Sequence, residues 1–338
     1  MSFNSPIKFY PYYRVAFLVN GTNKESSYFS FPEDLTDPSA FSNIATNIDI
    51  TKSFQGLLGS CNIRLFNLSD NHRNMLFHEP YWVSELEKTG SYKRLILSYG
   101  YLSYNGSEKH VDWVGIIRSA SSYKQGSSIV TEIIADEMGY VDDNAFIQLE
   151  LKKGSSIKQI FQKDFNKFIK EAKYTKEIQK EAEKKTGMDL SQFFPERNLN
   201  FKCDFKNDYI IEKDKVINTT IEGAISYLLS YIPNSRMTKE GNTIYLTDTQ
   251  KKTENTIIIN AENGLQSTPR VYGARMTLNM LFEPKININQ TVKVESLIAP
   301  NINDEYTVAG YSHHLTLGDG TSPSATTELN LIKIDIEE

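Results

Sequence analysis

Histidine, cysteine and clustered carboxylates are the residues most able to do chemistry, and this chain has few of them in useful patterns. The five histidines stand at 72, 78, 110, 313 and 314. His313 and His314 are adjacent, and neighbouring side chains on a strand leave opposite faces, so the pair is a poor chelate. Cys61 and Cys203 are the two cysteines, too few and too far apart for a disulfide framework or a zinc site. Asp142-Asp143-Asn144 resembles a cation loop on paper but lacks its glycine and closing glutamate, which leaves an acidic turn. Asp319, within Gly318-Asp319-Gly320, fits a hairpin turn. There is no H-E-x-x-H, C-x-x-C, G-x-S-x-G or phosphate-cradling glycine loop, and no carboxylate pair stands out for glycoside hydrolysis. The expectation is a protein without catalytic residues, metal or cofactor, one that binds or assembles.

Composition agrees with that class. At 338 residues the chain has room for two or three cores. Its 37 basic and 42 acidic residues give a net charge of −5, without the basic surplus of a dedicated nucleic-acid binder. Nineteen tyrosines and 18 phenylalanines suit half-buried sheet faces and protein contacts, where the ring packs and the hydroxyl stays wet. The N-terminus shows no basic leader followed by an apolar run, and no apolar stretch approaches a membrane span. The sequence therefore predicts a soluble protein made in a cytoplasm.

The chain is organised around residues 48–76. Cys61, Ile63 and Leu65 alternate with Asn62 and Arg64, the period of a half-buried strand. Asn67-Leu68-Ser69-Asp70 then leads to a short helix with Arg73, Met75 and Leu76, for which Ser69 is the predicted N-cap. Cys61 lies on the apolar side and reads as a small buried hydrophobe. Upstream, Tyr13–Val19 predicts a first strand, and residues 22–47 predict a polar loop. Downstream, residues 81–88 fit one helical turn or extended chain. Leu95, Leu97, Tyr99 and Tyr101 share a face, and Asn105-Gly106 supplies a tight turn. Val111, Trp113, Gly115 and Ile117 share the returning face. A polar loop over Ser119–Ser128 and a strand over Ile129–Ala135 complete an antiparallel sheet.

From residue 152 the pattern changes. Ser155 or Ser156 caps a helix whose apolar face is Ile157, Ile160, Phe161, Phe165, Phe168, Ile169 and Ala172. Residues 151–186 carry 11 lysines against 5 acidic residues. That face is either simply solvated or meets an acidic partner or passing DNA. Residues 188–218 give no assignment. Thr219 and Glu222 fit a capping box for a second helix with Ile221, Ala224, Ile225, Leu228, Leu229 and Ile232 on its face, stopped by Pro233. Glu240-Gly241-Asn242 turns a hairpin into Thr243–Thr247. Strands return with residues 256–260, Val271–Met280, Thr291–Ser296, Tyr306–Tyr311 and Thr327–Ile336, the last with a change of parity that predicts a bulge or a strand that changes sheets. Gly115 followed by Thr131 at 16 residues is echoed by Gly310 followed by Thr327 at 17. Either two hairpins look alike by chance or two related β-barrels flank an α+β insert.

Several short segments resemble baseplate hub proteins of contractile-tailed phages of the Mu type and their relatives, a family that includes phage-derived injection particles. They are the strand ending in Asn67-Leu68-Ser69, Leu95–Tyr101, and Val114–Ala135 closing at Asp136. Further along come Asn263–Pro269, then Leu281, Pro284, Val292, Val294 and Ser296, and Tyr306-Thr307-Val308 with the histidine pair. Their order across more than 250 residues carries the resemblance. The stretch Tyr174–Tyr209 is longer and more charged than the family pattern.

The resemblance implies an α+β, mainly β chain with two tail-tube-like antiparallel β-barrels. The corresponding division is 1–150 for the first, 251–338 for the second, and 151–250 for an α+β middle module with a basic amphipathic helix. It implies a homotrimer with pseudo-sixfold symmetry in the virion tail baseplate, assembled in the host cytoplasm. Its implied partners are the tail tube or tube-initiator protein, the central spike and other baseplate proteins, with DNA only in passage and no membrane span. Exposed sheet edges would then pair with neighbouring copies, and the bore would be acidic or neutral. Two other readings predict different things. A carbohydrate-binding β-sandwich needs Trp82 and Trp113 exposed, and a cell-wall hydrolase needs paired acids in a cleft of residues 156–246.

Overall fold

The computed structural model describes residues 10–18, 25–31, 41–42, 44–53, 59–76, 94–102, 109–137, 146–165, 200–233, 235–240, 243–248, 256–273, 275–318 and 324–333. The expected features at residues 81–88, Asn105-Gly106, Asp142–Asn144, Phe168–Ala172, most of the lysine-rich stretch and Asp319 lie outside them.

The first strands are β1 (Tyr10–Leu18), β2 (Glu25–Phe31), β3 (Phe41–Ser42), β4 (Thr46–Ser53) and β5 (Ser60–Phe66). Helix α1 (Asp70–Leu76) follows, then β6 (Arg94–Leu102), β7 (Lys109–Gln125) and β8 (Ser128–Asp136). Cys61, Ile63 and Leu65 are buried as their parity requires, with Ile48 and Ile50 beside them on β4. The turn after β5 has a physical reason for its sequence. Asn67 holds φ at 57°, a left-handed conformation that asparagine tolerates. Its side-chain oxygen accepts from Ile129 N–H at 2.9 Å, and its own N–H donates to Ile129 O at 2.7 Å. Ser69 caps α1 through His72 N–H.

Two expectations fail here. Residues 22–47 are not all loop: β2 pairs with β1, and β3 with β2. Serines interspersed with Tyr28, Phe29 and Phe31, in no regular alternation, hide a strand whose hydrogen bonds, not its polarity, define it. The polar stretch Ser119–Ser128 is likewise not a loop. It is the far half of a long hairpin that turns at Gly126-Ser127, so β7 is 17 residues long.

The middle residues form a separate core. Its strands are β9 (Phe146–Leu151), β10 (Asn200–Asp204), β11 (Lys215–Thr220), β12 (Arg236–Glu240) and β13 (Thr243–Thr247). Ser156 accepts from Gln159 N–H at 3.1 Å and caps α2 (Ile157–Gln159). The chain continues as a π-helix over Ile160–Phe165, whose wider turn brings Phe161 and Phe165 together against Phe201. Helix α3 (Ile221–Leu229) begins only after β11 has taken in Thr219 and Thr220. Thr219 is therefore a strand residue opposite Ile147, not the helix cap. The unassigned region holds β10 and β11, each too short to show a period among its lysines and aspartates.

The last strands are β14 (Ile257–Asn260), β15 (Arg270–Tyr272), β16 (Arg275–Leu281), β17 (Thr291–Glu295), β18 (Asp304–Leu317) and β19 (Ser324–Lys333). The expected single strand Val271–Met280 is a hairpin, β15 and β16, turning at Gly273 with φ +61°. The parity change expected toward Ile334 and Ile336 lies outside the described residues; the described part of the hairpin has its bulge on β18, between Val308 and Gly310.

The described strands of the two outer regions do not form two closed barrels. They make one fourteen-stranded, largely antiparallel sheet in the order β15-β16-β19-β18-β4-β5-β8-β7-β6-β1-β2-β3, with β17 beside β18 and β14 beside β17. Two separate cores pack against it. One centres on Ile63, Leu97 and Ile133, the other on Leu278, Val294 and Leu329.

Candidate functional site: the joint between two repeated sheet units

The order β6-β7-β8-β5-β4 in the first half repeats as β17-β18-β19-β16-β15 in the second. The register makes the correspondence residue by residue. Leu65 lies opposite Thr131 as Met280 lies opposite Thr327, so Cys61, Ile63 and Leu65 match Met276, Leu278 and Met280. All six are buried. Thr131 and Thr327, both fully buried, bond across their hairpins to Ser122 at 2.8 Å and His313 at 2.9 Å. Asn67 N–H meets Ile129 O as Phe282 N–H meets Ala325 O. The return strands match as the sequence echo has them, Thr131 with Thr327. The outgoing strands do not, because Gly310 falls at Ser119, four residues beyond Gly115.

Each long outgoing strand carries one bulge, at Arg118 and at Ala309, and the bulge marks a change of neighbour. Before it, β7 pairs with β6 and β18 with β17. After it, β18 takes β4 on that same edge, Gly310 to Leu317 lying antiparallel to Ser53 to Thr46. A bulge twists and bends a strand, which lets one strand serve two sheets.

The β4–β18 joint fuses the halves. On its polar face His314 Nδ1 lies 2.7 Å from Asp49 Oδ1, and the hydroxyls of Thr51 and Ser312 are 3.4 Å apart. On its inner face Phe282, His313, Leu315 and Leu317 pack into the first core. His313 is enclosed by Tyr99, Tyr311 and Phe282, and burial first, then His314, pushes its pKa down to about 3. Burial also raises the hydroxyls of Tyr99 and Tyr311 well above their ordinary range. The histidine pair thus splits between core and polar face, as a strand demands.

The polar face continues across β5 and β8. Glu132 accepts from Asn62 at 3.1 Å and Arg64 at 3.0 Å, and these hydrogen bonds hold its carboxyl below the usual range. Charged groups on this face include Asp49, Glu132 and Glu328 against Arg64, Arg270 and Arg275, a near balance.

Among the described residues no group of three or more His, Cys, Asp or Glu is placed to hold a metal ion. Cys61 is buried and its thiol pKa raised, and burial pushes that of Cys203 up to about 12. Trp113 is only 4% exposed, folded over Gly115, which removes it as a sugar platform; Trp82 lies outside the described residues. Among the described residues no helix is long and apolar enough to cross a membrane.

A five-strand unit used twice in one chain and joined edge to edge defines a class of duplicated, sheet-based protein. The comparisons narrow that class. The family described as Baseplate hub gp41 matches residues 168–320. A tail protein from Neisseria meningitidis MC58 shares the fold over 95% of this chain and 96% of its own, with 13% identity and a TM-score of 0.53. The prophage MuSo2 43 kDa tail protein from Shewanella oneidensis aligns over 95% and 98%, at 11% identity and TM-score 0.49. A chain of the Francisella PdpA-VgrG complex aligns over 97% of this chain and 59% of its own, at 7% identity and TM-score 0.49. No curated protein matches the sequence. The chain is thus similar in sequence to a baseplate hub family over residues 168–320 and in fold to a phage-type tail protein, in line with the resemblance its motifs carry.

Proposed function

We propose that this chain is the structural hub of a phage tail baseplate. Three copies close into a ring of six similar sheet units, with pseudo-sixfold symmetry on one face and threefold symmetry on the other. The sixfold face continues the tail tube and the threefold face holds the central spike. The ring belongs to the virion, is assembled in the host cytoplasm and performs no catalysis of its own.

The observation that carries this reading is the residue-by-residue repetition of one five-strand unit within a single chain, joined through β4 and β18. An assembly of two-unit chains presents twice as many units as copies, which is what a six-to-three adaptor requires. In this reading residues 1–150 and 251–338 are the two tube-like modules and residues 151–250 the α+β module between them. The near-neutral polar face lines the bore, so that a polyanion passes without sticking.

The test is the mass of the purified protein by light scattering, with electron micrographs of the same fraction. Three times 38.6 kDa with ring-shaped particles is the expected result. A globular monomer that bound or cleaved glycan would overturn the reading.

A further inference from the structure

The internal joint has an unfilled counterpart. β15 occupies the place of β4, and its outer edge pairs with no described strand. The far half of β7 occupies the place of Gly310–Leu317 on β18, and among the described strands only β8 pairs with it. Two complementary edges, one on each unit, are left free in the same sheet, one at its β15 end and the other along the far half of β7. They also hold large side chains in solvent. Val271 is 49% exposed, Tyr272 68% and Tyr123 40%.

We propose that β15 of one copy pairs antiparallel with residues 119–125 of the next, in the register that the internal joint dictates. The proposal rests on the hub reading and names the seam between its copies. Asp49 corresponds to Arg270 and His314 to Tyr123, so Arg270 meets Tyr123 where the internal joint has its carboxylate–imidazole pair. A guanidinium on a tyrosine ring is a favourable replacement for that pair. Thr51 and Ser312 become Tyr272 and Ser121, again two hydroxyls. Ile50 and His313 become Val271 and Ser122. Such a contact is heterologous, so it closes into a ring or runs on as a filament.

The two seams differ in one respect. Phe282, His313, Leu315 and Leu317 plug the internal joint, and their counterparts are Asn67, Ser122, Lys124 and Gly126. The seam between copies is polar where the seam within the chain is apolar. It is the reversible one.

Cysteine pairs test the register. Directly opposed residues of an antiparallel pair have Cα atoms about 4.5–5.5 Å apart, inside disulfide range. Tyr123→Cys with Arg270→Cys, both on exposed edges, is the primary variant, and Ser122→Cys with Val271→Cys the second. Under mild oxidation at high protein concentration both give intermolecular bands at two and three chain masses. Tyr123→Cys with Val271→Cys, one residue out of register and on opposite faces, gives several-fold less. Equal linkage in the mismatched variant overturns the proposal. So do particles of trimer mass whose cysteines stay unlinked, which would leave the hub reading standing with another seam. Failure to link together with absence of rings overturns both.

Discussion

His313 Nδ1 and Thr327 Oγ1 meet at 2.9 Å in the second long hairpin, at the place where Ser122 and Thr131 meet in the first. The two bonds are topologically the same, but their surroundings are opposite. Ser122 stands on a strand half that pairs, among the described strands, with β8 alone, whereas His313 is sealed between two tyrosines and Phe282. A neutral imidazole is required there, and protonating it charges the centre of the joint.

Acid should therefore loosen the joint. The pKa of His313 is about 3 when folded against 6.5 when exposed, so the unfolded chain binds the extra proton between those values. The contribution is complete above pH 6.5 and is lost progressively as pH falls toward 3. Its slope approaches about 1.4 kcal/mol per pH unit. Thermal melting of wild type and His313→Gln from about pH 7 to pH 5, above most carboxylate titration, should give a shallower decline for the variant.

Gly115 accepts no side chain. A Cβ there would stand 2.8 Å from the carbonyl oxygen of Asp136 and strike the Trp113 ring. Gly115→Ala should cost about 1–3 kcal/mol, the usual penalty of overpacking, in urea unfolding. An unchanged midpoint would mean that the indole swings away freely.

Ser156 satisfies an otherwise orphaned donor at the start of α2. Ser156→Ala should destabilise the middle module by about 1 kcal/mol, and Ser156→Asp should restore most of it. Chemical denaturation of the three proteins checks this.

The balanced charge of the polar face should make the protein indifferent to DNA. In a filter-binding assay at about 150 mM salt, wild type should retain no duplex. A Glu132→Lys/Glu328→Lys variant should gain binding that falls steeply as salt rises. Strong retention by wild type would remove the proposed passive bore.

Much of this arrangement was legible in the sequence because half-buried strands announce themselves. Cys61, Ile63 and Leu65, or Met276, Leu278 and Met280, alternate with polar neighbours and cannot be mistaken for helix. The far half of β7 escaped because both its faces are polar. Nothing among the described strands covers Ser119–Gln125 on one edge, so no alternation was imposed on it. The same polarity misaligned the echo by four residues. Gly115 and Gly310 match by residue type, whereas the true correspondence is fixed by hydrogen-bond register, which leaves no mark on residue type. The β4–β18 joint was invisible for a related reason. His314 and Asp49 stand 265 residues apart, and a single strand carries no sign of the partner it will find.

The fusion of β4 to β18 within one polypeptide also has a kinetic consequence. Partners on one chain meet at an effective concentration set by the tether and independent of how dilute the chains are. In a six-unit ring, half of the contacts would thus form during folding and never wait on diffusion. Three contacts between chains would complete a circle that unlinked units would need six to build, and partly built arcs would end only at chain boundaries.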